Sequence, residues 1–148
     1  MEYPQTKRPA AAKVLIAVEL LYGLLGLVSG ALLLADPSGA GLGFTSEIRE
    51  KIPFQTFLPV GLFLFIVYGI VPLLLAFGAI TRKEYAFDNI SRLSGHHWSW
   101  TGGMLLMAAL VLWLMVEGML IGLDFAATYM TVMLGAVIFI LLVLPCTL

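Results

Sequence analysis

The chain has 148 residues, 61% of them hydrophobic and 11% charged, with a mean hydropathy of +1.02. A soluble domain is about 45–50% apolar and about 25% charged, so this composition excludes a disordered chain, a basic nucleic-acid-binding protein and an ordinary soluble enzyme. Eight Lys and Arg stand against nine Asp and Glu, a formal net charge of −1, so no global field recruits a charged partner, and the expected surroundings are the lipid bilayer.

Lys7, Arg8 and Lys13 precede the first apolar stretch, Val14 to Ala35. The stretch exceeds the apolar core of a signal peptide, about 7–15 residues, and no cleavage site follows, so it is read as a retained helix. It carries Glu19, and Gly26 and Gly30 at small-xxx-small spacing, which lets membrane helices approach closely. The loop from Asp36 to Thr56 opens with a turn-rich run. A short helix is expected after it, capped by Ser46 and ended by Pro53, with Phe44, Ile48 and Ile52 on one face. Such a helix is either an interfacial connector or a lid or docking element over the mouth of the fold.

The second apolar stretch, Phe57 to Ile80, carries Pro59 near its start and Pro72 in its interior, where proline is expected to kink the helix. A polar loop with Arg82, Lys83 and Arg92 leads to His96 and His97, with Trp98, Trp100 and Tyr85 read as interfacial aromatics. The adjacent histidines do not share a helix face, and no further ligand completes a zinc pattern; they read as a cytoplasmic interfacial pair. Asn89-Ile90-Ser91 fits a glycosylation acceptor but falls on the cytoplasmic side of this topology. The third stretch, Thr101 to Gly122, holds Glu117 and a second small-residue pair, Gly118 and Gly122. After a very short loop, the fourth runs from Ala126 to Cys146. The single cysteine excludes an intramolecular disulfide.

Each stretch is long enough to cross a hydrocarbon core of about 30 Å as a helix. The expected fold is therefore all-α: a four-helix transmembrane bundle in one domain spanning 1–148. Six basic residues fall on the side of the N-terminus and second loop and two on the other, which places both termini in the cytoplasm and the protein in the cell membrane.

Glu19 and Glu117 are the only charges well inside the spans. At 1.5 Å per residue they lie roughly 15 Å apart along the membrane normal, too far to share a proton or a metal. They read either as two stations of a proton or cation path or as two helix–helix hydrogen bonds. Glu19 is expected within reach of Tyr22, Thr101 or a loop histidine, and Glu117 near Thr128, Tyr129 and Thr131.

Asp36-Pro37-Ser38-Gly39 after the first helix, Pro53-Phe54 and Phe57-Leu58-Pro59-x-Gly61 opening the second, and Pro72-Leu73-Leu74 within it form a pattern. It resembles a broad set of small prokaryotic four-helix membrane proteins and, more distantly, the DoxX-like group. The resemblance implies the architecture and carries no established activity; unlike redox-associated DoxX-like proteins, this chain lacks a cysteine pair. The expected function is a non-catalytic accessory or structural subunit, acting through helix association with copies of itself or other membrane subunits. The alternatives are a small proton, cation or solute transporter or channel using Glu19 and Glu117, and a redox or lipid-handling membrane enzyme. No catalytic residue, metal or cofactor is assigned.

Overall fold

The computed structural model describes residues 10–52, 55–81 and 88–144. Lys7, Arg8, Pro53, Phe54, Arg82, Lys83, Tyr85 and Cys146, which carry parts of the sequence reading, lie outside the described residues. The described chain is helical: α1 (Ala10–Ala35), α2 (Ser46–Lys51), α3 (Leu58–Phe63), α4 (Val71–Thr81), α5 (Asp88–Ser94), α6 (Trp98–Leu120) and α7 (Ala126–Val143). A π-helical segment, Leu64–Ile70, joins α3 to α4, so that Leu58–Thr81 is one continuous helical run. Three helices are long and apolar enough to cross a membrane: Ala10–Ala35, Leu58–Thr81 and Trp98–Leu120. α7 is shorter, 18 residues, or roughly 27 Å at 1.5 Å per residue.

Glycine sets how the helices meet. A Cβ on Gly26 would collide with the Tyr68 carbonyl, one on Gly30 would stand 2.6 Å from the Phe65 nitrogen, and one on Gly61 would stand 2.7 Å from Leu33. Ascending positions on α1 thus meet descending positions on Leu58–Thr81, an antiparallel pair at backbone contact. Gly78 faces the Trp98 ring and Gly102 faces Leu75, while Gly103 meets Leu142 and Gly135 meets Leu110. α6 therefore runs antiparallel to both α4 and α7, and α7 also packs on α1. Three reversals bring Ala10 and Val143 to the same end of the molecule.

Among the described residues, no other helix of the chain packs against Gly118 or Gly122. The nearest atoms to a Cβ on Gly118 belong to Leu123 of the following loop, and nothing lies within 4 Å of one on Gly122. Gly122 instead turns the chain after α6 at φ 85°, a left-handed conformation that glycine adopts without a Cβ clash.

Pro72 is buried in the first turn of α4, directly after the π segment. Having no N–H, it cannot donate to the Tyr68 carbonyl. The Val71 N–H reaches back to Ile66, so the helix widens just before the proline. π turns of this kind occur mostly as single-turn features within α-helices.

The main core joins Leu15, Tyr22, Tyr68, Leu75, Leu106, Leu110 and Ile138. A second cluster, Leu33, Ile52 and Phe57, is packed by Leu42, Phe44, Ile48 and Ile121. The predicted face of Phe44, Ile48 and Ile52 thus folds onto the helix ends. Thr45, rather than Ser46, occupies the cap position of α2.

Trp98 and Trp100 have interior roles in addition to any place at an interface. Trp98 is 9% exposed, and the Trp100 Nε1–H donates to the Leu142 carbonyl over 2.7 Å. α5 is a helix the sequence reading left as polar loop. Its signals are Asp88 in the first turn, paired with Arg92 at i,i+4 over 3.2 Å, and Gly95 at φ 70° just past its end.

Candidate functional site

Between the helices lies a cavity of about 430 Å³, within the roughly 300–1,000 Å³ of small-molecule sites. α1 contributes Tyr22 and Ser29, the π segment Tyr68, α6 Trp113 and Glu117, and α7 Thr128 and Thr131. Leu42, Phe44, Ile52 and Phe57 form a further wall, so the loop after α1 helps to enclose the space. Phe44 stacks on Phe57 at 4.7 Å between centroids and meets Phe125 edge-on at 5.2 Å. The loop is held at its base where Asp36 Oδ1 accepts from the Ser38 hydroxyl at 2.6 Å, and where the Phe57 N–H donates to the Pro37 carbonyl at 2.9 Å.

Among the described residues, Glu117 is the only charged side chain lining this cavity. The Thr128 hydroxyl donates to its Oε1, a bond that crosses the short loop from α6 to α7. Its backbone carbonyl accepts from Ile121 and Gly122 at 2.9 and 3.1 Å, so the residue also ends α6. Thr131 lines the cavity as well, whereas Tyr129, expected at the same level, is 57% exposed and turned outward.

Tyr22 and Tyr68 meet edge-to-face, with centroids 5.7 Å apart and planes at 78°. Both are buried cavity-lining residues, and both hydroxyls are buried without a hydrogen-bond partner among the described residues. An unsatisfied buried hydroxyl costs about 1–3 kcal/mol, which marks these two as groups with unused bonding capacity. Sequence reasoning missed Tyr68. Its signal was a lone hydroxyl in the apolar run Leu64–Ile70.

Glu19 is more deeply buried, at 2% exposure, and its Oε2 has no hydrogen-bond partner among the described residues. It does not line the cavity, but it shares an α1 face with Tyr22 at i,i+3. Tyr22, expected to reach it, makes no hydrogen bond to it, and Thr101 and the two histidines are engaged elsewhere. Thr101 donates to the Ser94 hydroxyl at 2.9 Å, His96 stacks on Trp100 at 4.1 Å, and the His97 side chain caps α6 by accepting from the Ser99 N–H at 3.3 Å. The glycine register sets Glu19 near the level of Leu75 and Glu117 near that of Val60, so the two carboxyl groups are roughly 20 Å apart along the helix axes. Tyr22 and Tyr68 lie between them.

Among the described residues, no three His, Cys, Asp or Glu side chains come together to hold a metal. The arrangement is a mostly apolar chamber with one carboxylate, two unpartnered phenols and a partial aromatic cover. No protein family matches the chain, and neither a characterised protein nor a solved structure shows significant similarity to it.

Proposed function

We propose that the chain is a four-span integral membrane protein that carries a small solute through its interhelical cavity, with Glu117 as the solute station. In this reading α7 is the fourth span, its apolar sequence continuing beyond Val143, and the basic residues orient both termini to the cytoplasm. The observation that carries the reading is Glu117 itself. A carboxyl group at membrane depth costs on the order of 2.5–3.5 kcal/mol on insertion scales, and here it faces a chamber instead of being buried among helices. Tyr68 and Tyr22 stand at levels between Glu117 and Glu19, so in this reading Glu19 is a second carboxyl position along the same path.

The test is flux in proteoliposomes carrying a trapped pH indicator under an imposed potassium diffusion potential. The parent protein is expected to pass protons or small cations, and Glu117→Gln and Glu19→Gln are each expected to abolish the flux. Absence of flux in the parent, or full flux in both variants, rejects the reading.

A second reading, an accessory subunit in a larger membrane assembly, is favoured by the outward face of α6. Leu105, Leu112, Met115 and Met119 are exposed there, and Met119 reaches 85% exposure. Gly118 lies on the same face with no other helix of the chain as its nearest neighbour, leaving room for a partner helix. Co-purification of a stoichiometric membrane partner, lost in Gly118→Leu, would support this reading.

A further inference from the structure

We propose that the ligand of the cavity is a lipophilic organic cation, a protonated amine on an apolar body, whose charged centre sits against Glu117 and the neighbouring aromatic rings. This rests on reading the cavity as a solute site and names the class of solute.

Sign comes first. Among the described residues, the lining holds one carboxylate and no Lys, Arg or His. An anionic ligand would meet no compensating charge there and would be repelled by Glu117. The same argument excludes an aminolipid headgroup, whose phosphate would find no basic side chain.

Chemistry of the walls comes next. Glu117 accepts one hydrogen bond, from Thr128, and its other oxygen has no protein donor among the described residues. A carboxylate in a mostly apolar chamber is poorly compensated by one hydroxyl, and an ammonium N–H supplies the missing donor together with the opposite charge. Trp113 and Tyr68 line the same space; Phe63 holds them from behind, stacked on Trp113 at 4.9 Å and edge-on to Tyr68 at 5.4 Å. Electron-rich ring faces within about 6 Å of a cation attract it, most strongly where water is excluded. The remaining walls are mostly apolar, interrupted by Ser29, Thr56 and Thr131, and the 430 Å³ volume leaves room for a hydrocarbon body behind the charge.

Three probes of one shape separate the possibilities: 1-naphthylmethylamine, the neutral 1-naphthalenemethanol and the anionic 1-naphthoate. Each is titrated calorimetrically at neutral pH into the full chain in an uncharged maltoside detergent, with detergent blanks subtracted. The amine is expected to bind at least about tenfold more tightly than the alcohol, the scale of a charge-assisted hydrogen bond, and the naphthoate is expected not to bind. Glu117→Gln is expected to bring the amine down to the level of the alcohol, and Glu117→Asp to retain the preference. If the alcohol binds as tightly as the amine, or the naphthoate binds better, the cation assignment falls while the solute cavity stands. If none of the three binds, the cavity reading itself falls. If Glu117→Gln melts like the parent and still prefers the amine, Glu117 is not the site. The comparison of the three probes on the parent protein is decisive even where a variant fails to fold.

Discussion

The Tyr68 carbonyl lies directly against Gly26, with no room between them for a Cβ. Pro72 has already removed the N–H that would bond this carbonyl in a regular α-helix, so the tightest glycine contact among the described residues falls in the π segment. A side chain at Gly26 has rigid backbone, not a flexible side-chain tip, as its obstacle. Gly26→Ala is therefore expected to destabilise the protein by about 1–3 kcal/mol, the usual cost of overpacking. Gly118→Ala meets only the mobile end of Leu123 and is expected to raise stability by about 0.5–1 kcal/mol, because alanine favours the helix interior. Thermal unfolding of the two variants in one detergent checks both signs.

Removing the indole N–H of Trp100 while keeping an aromatic ring tests the tie between α6 and α7. Trp100→Phe loses the hydrogen bond to the Leu142 carbonyl and is expected to cost about 1 kcal/mol. Amide exchange should report the loss at the last turn of α7 before the rest of that helix.

Glu19 offers a test in the opposite direction. Its carboxyl oxygen Oε2 is buried without a partner, and replacing an unsatisfied buried polar group by an apolar one of similar size removes a penalty of about 1–3 kcal/mol. Glu19→Met is expected to raise the unfolding temperature in detergent and to abolish flux in liposomes. A variant that is both more stable and inactive would identify Glu19 as a residue retained for work rather than for folding.

In the loop after α1, the Ser38 hydroxyl and N–H both donate to Asp36, and with Arg49 contributing a smaller attraction they hold the Asp36 carboxyl below its ordinary range. Ser38→Ala is expected to move its titration back up toward the ordinary carboxylate range, as read by carboxyl NMR shifts. Because the folded-state value is the depressed one, the contribution of this group is present above the unfolded-state value and lost as pH falls through the folded one. Proteolytic nicking of the loop should accordingly increase on acidification.

The long helices were legible because each is an uninterrupted apolar run, the pattern a lipid environment would demand; the spacing of Gly26 and Gly30 pointed to a close helix approach but not to the helix they meet. Gly118 and Gly122 have the same spacing and a different use, because a glycine at a helix end serves the turn and one in mid-helix serves packing. The sequence pointed to Glu117 and Thr128 as neighbours through their depth. It did not point to Tyr68, which reaches the cavity through the phase of a π turn that no regular 3.6-residue repeat predicts. α5 was hidden because its seven residues stabilise themselves through local polar contacts and carry no apolar stripe.

The wide turn at Leu64–Ile70 sets the angular phase of everything after it. An ordinary α-helix advances roughly 100° per residue, so deleting one residue from this segment would tighten the coil and leave α3 and α4 each in phase with its own neighbours. The same deletion in the middle of α1 would turn half of that helix away from its glycine contacts. Within Leu58–Thr81, the π segment is thus the stretch where a one-residue change in length leaves the flanking helices in phase.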